Sequence, residues 1–305
     1  MPIKDVKATI NGSTVTLVDN GDGTYSANLT APNRTSYNVN DGHYYPVTIV
    51  ATNMAGTSTT VDDTHASLGQ YCKLRVKEIT APTISISSPT NGQFLGTAQP
   101  TITIRIEDER TGSGVNISRL QIGVDGTFYT NTSSGVTVQS KDEGYNITFV
   151  PSSPLVDGEH SLLVKVADND GNEATSSVVN FTTDTVAPAL SITNPATNDT
   201  YTSDSVLYVQ GTTSDSVSGT PTITVALNGG DAQTATVSNG SFNHAVTLIN
   251  GNNSIVITAT DKAGKTTTIT RTIVLDTSSP VFASINITPN PVNVGGSYTV
   301  TVTVS

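Results

Sequence analysis

The chain has 305 residues, a formal net charge of −11, 35% apolar residues and 13% charged residues. Globular norms are about 45–50% apolar and about 25% charged; here Thr, Ser, Asn and Gly fill the gap, residues that suit solvent-facing strand positions and the turns between strands. The acidic balance excludes phosphate backbones as partners, and no apolar run approaches the ~20 residues that a helix needs to cross a bilayer.

In chain order, Val6–Ile10 reads as a strand, and Asn11-Gly12 separates it from Ser13–Val18 with a two-residue hairpin signal. Asp19-Asn20-Gly21-Asp22-Gly23 then turns the chain into Thr24–Leu29. Val47–Thr52, Leu162–Ala167 and Ile255–Thr260 alternate as strands do. They run into the polar turns Asn53-Met54-Ala55-Gly56, Asp168-Asn169-Asp170-Gly171 and Asp261-Lys262-Ala263-Gly264, each followed by a Thr/Ser/Val strand. That pattern predicts a hairpin near the end of each domain. No window of 10–12 residues shows a helical apolar period, so the chain is expected to be all-β.

Internal repetition sets the domain plan. Glu78-Ile79-Thr80-Ala81-Pro82, Asp184-Thr185-Val186-Ala187-Pro188 and Asp276-Thr277-Ser278-Ser279-Pro280 each lead into a short β-branched run. Pro82, Pro188 and Pro280 are 106 and 92 residues apart, the length of one β-sandwich each. The expected domains are 1–80, 81–186 and 187–279. Residues 280–305 read as two strands, which open a partial fourth module, dock on the third domain, or pair with a neighbouring copy.

These same residues carry a family resemblance. Asp19-Asn20-Gly21-Asp22-Gly23-Thr24-Tyr25 resembles the corresponding turn of bacterial Ig-like domains of the invasin and intimin kind. Ala259–Gly264 and Asp184–Pro188 resemble the strand-end and junction signatures of tandem bacterial Ig-like repeats. Lys265, Asn53 and Glu78 depart from that pattern. The resemblance implies tandem immunoglobulin-like β-sandwich domains in an elongated array, built into adhesins or into phage tail and virion proteins. Ser36–Val39 and His43–Val47 are similar to N-terminal modules of phage structural proteins, and no export signal is visible after Met1. The expected role is a non-enzymatic structural or attachment component of a virion, with other virion proteins or host-surface glycans and proteins as partners. A bacterial cell-surface adhesin or stalk, and the accessory β-modules of a carbohydrate-active enzyme, are the alternatives. Homo-oligomerisation stays open.

No catalytic, cofactor-binding or metal-ligating residue is assigned. There is no G-x-S-x-G, and His43, His65, His160 and His244 are scattered without zinc-ligand spacing. Cys72, the only cysteine, reads as a small core filler. Calcium at domain junctions is one reading of the acids: Asp168 and Asp170 would share it with Asp184, and Asp261 with Asp276. Asx turns and solvated loop tips are the other. Tyr37, His43, Tyr44 and Tyr45 read either as a sugar platform or as corner packing.

Overall fold

The computed structural model describes residues 2–305, which divide into two compact units meeting at Asp184/Thr185. Among the described residues there is no α-helix, only a single 3-10 turn at Gly69–Tyr71.

The first unit opens with β1 (Ile3–Ile10) and β2 (Ser13–Thr16), paired Ile10 to Ser13 across the expected Asn11-Gly12 turn. Both turn residues have positive φ, 48° and 77°, as the primed hairpin turn demands. β3 (Val18–Asp19) and β4 (Tyr25–Ser26) form a short ribbon around the Asp/Gly turn. β5 (Tyr45–Asn53), β6 (Ser58–Val61) and β7 (Lys73–Leu74) complete a sheet in the order β2-β1-β5-β6, with β7 on β5. Among the described residues of this stretch the β3–β4 ribbon is a separate sheet. Residues 27–44 lack a period-two pattern and form a loop. Polar bonds tie the loop down. The Ser36 amide donates to Val76 O (2.8 Å), and the Tyr45 hydroxyl to Arg34 O (3.2 Å).

Residues 80–184 form a closed sandwich. Its strands are β8 (Thr83–Ser88), β9 (Gln93–Leu95), β10 (Ile102–Glu107), β11 (Val115–Val124), β12 (Thr127–Tyr129), β13 (Val136–Lys141), β14 (Gly144–Phe149), β15 (Gly158–Asp168), β16 (Glu173–Thr175) and β17 (Val179–Thr183). One sheet runs β13-β14-β10-β8, the other β12-β11-β15-β17-β9, with β16 on β15. Alternation decides the interior: Ile102, Ile104 and Ile106 of β10 face Leu162, Val164 and Val166 of β15, joined by Phe149 and Phe181, all buried. Between the isoleucines, Thr103 and Arg105 are not buried, and Arg105 pairs with Glu107 at 2.7 Å.

The second unit repeats this plan with nine strands instead of ten, one long strand taking the place of β16 and β17. β18 (Ala189–Asn194), β19 (Thr200–Thr202), β20 (Val206–Ser214), β21 (Thr222–Leu227), β22 (Gln233–Ala235), β23 (Val237–Ser238), β24 (Ser241–Thr247), β25 (Gly251–Thr260) and β26 (Thr266–Leu275) form sheets β18-β20-β24-β23 and β19-β26-β25-β21-β22. In both repeats a short strand pairs in parallel with the last long one: β9 with β17, β19 with β26. The interior is again aliphatic, with Val209, Ile223, Ile255, Ile257 and Ile273 fully buried. β27 (Phe282–Thr288) and β28 (Thr299–Val304) follow as an antiparallel hairpin. It pairs Ile285 with Val302 and Ile287 with Val300, much as β8 and β10 pair Ile84 with Ile106 and Ile86 with Ile104. All its residues are exposed.

A polar clamp crosses the 80–184 sandwich. Asp125 Oδ2 faces His160 Nδ1 at 2.6 Å, and Asp125 Oδ1 accepts from the Ser161 amide at 2.8 Å. Burial pushes the Asp125 carboxyl up, but the His160 and Ser161 bonds outweigh it, and the net shift is below its ordinary 3.8. Its contribution to stability is therefore present above about pH 4 and lost as pH falls through the lowered value. Asp125→Ala, which leaves a buried ring nitrogen without an acceptor, is expected to lower unfolding free energy by about 2–3 kcal/mol in urea denaturation, and Asp125→Asn by less.

Candidate functional site

Antiparallel pairing decides which loops of a sandwich meet. Thr83 pairs with Glu107 and Val115 with Asp168, so the start of β8, the end of β10 and the end of β15 share one end of the sandwich. That is the end where the chain arrives from residues 2–79.

Glu78, Asp108 and Asp168 converge there, with one carboxylate oxygen from each lying within 4.8 Å of the others. The loop 109–114 folds over them. Its Ser113 amide donates to Glu78 Oε1, and its Gly114 amide donates to Asp108 Oδ2 at 2.6 Å. Gly112 lets the loop approach this closely: a Cβ there would sit 2.6 Å from Asp108 Oδ2 and 2.7 Å from Glu78 Oε2. Asp168 is fixed by its own turn. Its Oδ1 accepts from the Gly171 and Asn172 amides (2.6 and 2.8 Å), and its Oδ2 from Asn172 Nδ2 (2.6 Å). Two buried oxygens, Glu78 Oε2 and Asp108 Oδ1, accept no hydrogen bond. Among the described residues no lysine or arginine forms an ion pair with any of the three.

The electrostatics follow from this crowding. Burial, then the facing Glu109 carboxyl, pushes Glu78 up to about 7 against the opposing Ser113 bond. Burial likewise pushes Asp108 up to about 6, although the Gly114 amide favours its charged form. For the exposed Glu109, burial raises its value, but bonds from Glu78 and Asp108 prevail and the net shift is downward. Chemically, the arrangement is a group of carboxylate oxygens met by backbone amides and one Asn side chain, with no cationic side chain paired to it among the described residues.

Asp170 joins neighbouring segments instead of entering the cluster. Its carboxylate accepts from Thr35 Oγ1 and from the Glu78 amide (3.1 Å), while its carbonyl accepts from Lys77 Nζ (3.1 Å). The expected pairing of Asp168 and Asp170 with Asp184 is therefore corrected. Thr183 pairs with Gly158, which puts Asp184 at the opposite end of β15 from Asp168. Ten residues of strand separate those ends, about 33 Å. Asp261 and Asp276 are likewise apart, because Leu275 pairs with Gly251 and Thr260 with Thr266. Asp276 closes an Asx turn through the Ser278 amide (2.9 Å), and Asp22 does the same with Thr24 (3.0 Å). Sequence reasoning passed over Asp108 and Gly112. The available signal was that Asp108 and Asp215 both directly follow the second long strand of their repeats.

The other candidates resolve as structural. Tyr37 and His43 stack at 4.1 Å, but Tyr44 turns away to Asp63 (2.8 Å) and Tyr45 is buried, so the four rings form no single platform. Cys72 is buried, its thiol pushed up by burial and then by Asp62 and Asp63, which makes it a poor nucleophile. Thr183, His160 and Asp125 line up like a nucleophile, base and acid, with 3.0 Å from Thr183 Oγ1 to His160 Nε2. Thr183 is wholly buried, however, and its hydroxyl donates to Val156 O at 2.7 Å. A groove of about 330 Å³ beside Ile10, Val15, Leu29, Pro32 and Leu74 is lined by no titratable side chain.

Residues 80–185 match the family model of the bacterial Ig-like domain, and residues 188–277 that of glucodextranase domain B. Bacillopeptidase F of Bacillus subtilis (strain 168) is 28% identical over 211 residues, which is 69% of this chain and 12% of that protein. The chain thus spans a small part of that relative. Among solved structures, the fibronectin(III)-like modules of Clostridium thermocellum CbhA align at 17% identity over 64% of this chain and 94% of theirs, TM-score 0.41. A 1.5-MDa bacterial ice-binding adhesin aligns at 20% identity over 89% and 86%, TM-score 0.32. The shared strand order makes residues 80–277 a tandem pair of β-sandwiches, the first of which matches the bacterial Ig-like model.

Because Glu78 and Asp108 have folded values of about 7 and about 6 against ordinary values of 4.5 and 3.8, folding favours their protonated forms. Their contribution is complete below about pH 4 and is lost as pH rises through 6–7. In chelator, the melting temperature of the first unit is expected to fall between pH 4.5 and 7.5, and Asp108→Asn to flatten that slope.

Proposed function

We propose that this chain is a non-catalytic run of Ig-like modules working outside the cell, holding or spacing other parts of a surface-associated assembly. The observation that supports this best is the pair of sandwiches with one strand order and filled aliphatic interiors. Alternating side chains fill the space between the sheets, so a sandwich of this kind offers no cleft in which reacting groups converge. Its usable surface lies on strand faces and loop tips, which suits spacing and weak multivalent contact.

The finer placement is a virion component contacting a host surface or glycan, and it rests on the resemblance of residues 36–39 and 43–47 to modules of phage structural proteins. A second reading has its own support. The match of residues 188–277 to glucodextranase domain B, and a relative of which the chain spans 12%, favour accessory β-modules within a larger secreted enzyme.

Two measurements test the modular plan and the attachment role. Limited proteolysis is expected to cut near Thr185–Pro188 and release fragments that each melt cooperatively. A single fragmentless melt would count against the modular reading. On a glycan array, binding that is weak in the monomer and rises at least tenfold when the chain is displayed multivalently supports the attachment role. Silence in both formats supports the spacer role alone.

A further inference from the structure

We propose that the β27–β28 hairpin is a dimerisation element, whose apolar face packs against the same face of a second copy of this chain. The inference goes beyond the spacer reading and does not depend on where the protein is displayed. A strictly monomeric chain would overturn it and leave that reading standing.

Register gathers the large apolar side chains of both strands on one side. Ile285 pairs with Val302 and Ile287 with Val300. The register shifts between Phe282 and Ser284, so Ala283 is the extra residue of a bulge, and Phe282 pairs with Val304. Strict alternation would send Phe282 to the face opposite Ile285; the bulge returns it to the same face. Phe282, Ile285 and Ile287 therefore stand beside Val300, Val302 and Val304. The opposite face consists of hydroxyls and an amide, and there the Ser284 hydroxyl donates to Thr303 Oγ1 across the strands at 3.0 Å.

The apolar face lacks the cover that such a face has elsewhere in the molecule. In the 80–184 sandwich the corresponding pairs, Ile84 with Ile106 and Ile86 with Ile104, pack against the aliphatic side chains of the facing sheet. In the hairpin, Ile285 is 63% exposed and Phe282 69%. A two-stranded ribbon is marginal by itself in water and gains stability when its apolar face is covered. The six side chains together offer roughly 500 Å² of contiguous apolar surface, and patches of that size mark interaction sites.

Charge selects a second copy as the occupant. The chain has a net charge of −11, yet no charged side chain follows Asp276. Exposed strands of soluble proteins are commonly guarded against association by lysine and other charges, and β27 and β28 carry none. A face of Phe, Ile and Val is its own complement. Two copies related by a two-fold axis meet there without burying a charge or a polar side chain. Two such faces pressed together remove on the order of 1,000 Å² from water, the least that a specific interface requires. The product is two layers of two strands, about 10 Å apart, with the hydroxyl faces left in water. Pairing doubles the sandwiches in one particle, which strengthens weak surface contacts through multivalency.

The test uses the full chain in sedimentation equilibrium over a wide range of concentrations, alongside amide hydrogen exchange. The mass is expected to rise from 31.6 kDa to twice that value as concentration increases, and amides within 282–288 and 299–304 to gain protection in step. Ile285→Ala should weaken dimerisation at least tenfold, because a two-fold interface loses the same contact in both halves. Ile285→Asp should abolish it, whereas Asn286→Asp, which puts the same charge on the opposite face, should leave the dimer intact. Ile285→Ala keeps the test decisive if Ile285→Asp melts the ribbon. A chain that stays at 31.6 kDa at every concentration would overturn the proposal, and hairpin amides protected in that monomer would assign the face to a contact within the chain. A dimer undiminished in Ile285→Ala, or lost equally in Asn286→Asp, would overturn it too. So would a mass that climbs past two copies, the mark of pairing through open strand edges.

Discussion

Period-two alternation, with every second side chain driven inward between two facing sheets, is the constraint on which the rest of this molecule depends. Along β10 the buried positions are Ile102, Ile104 and Ile106, and along β25 they include Ile255, Ile257 and Ala259. Each fully buried aliphatic side chain of that size contributes roughly 1.5–3 kcal/mol over its exposed state. A low apolar fraction suffices because half of each strand has no need of it. Thr and Ser occupy the outer positions at no cost in core volume.

Closing a sandwich moves its polar chemistry to the strand ends, where turns must satisfy backbone amides. One solution recurs at the hairpin turns that follow β5, β15 and β25. Asn53 Oδ1 accepts from the Ala55 and Thr57 amides, both at 2.9 Å. Asp168 Oδ1 does the same for Gly171 and Asn172, and Asp261 Oδ1 for Lys265 at 2.8 Å. A single carbonyl-type oxygen performs this task, which explains why Asn replaces Asp at 53 without loss of the turn. An aspartate brings a second, charged oxygen. In the first unit Asp168 also lies against Glu78 and Asp108, so a residue needed for turn geometry also joins a buried acidic cluster.

The two repeats share strand order although their loops differ, and the stretch before residue 80 has a different strand order. In residues 27–44 Asn, Pro, Ser and Tyr follow no alternation. Side-chain and backbone hydrogen bonds hold them, and among the described residues before 80 the buried apolar ones are Val6, Ala8, Tyr45 and Cys72. Stability there leans on polar anchoring to the neighbouring sandwich, through Asn38 to Gly112 O (3.0 Å) and Thr35 to Asp170.

The sequence by itself determined the strands, the Asn11-Gly12 hairpin, the three strand–turn–strand ends and the two proline-marked repeats, because these depend on neighbours a few residues apart. Cys72 as a core filler was legible for the same reason. Which acids meet was decided only by the tertiary structure. Asp168 and Asp184 are close in sequence and belong to one hairpin region, yet an eleven-residue strand puts them at opposite ends of the sandwich. Glu78, Asp108 and Asp168 are spread over ninety residues and converge because antiparallel ladders return the chain to the same end three times. Linear spacing carries no record of that return, and only the register of the sheets supplies it.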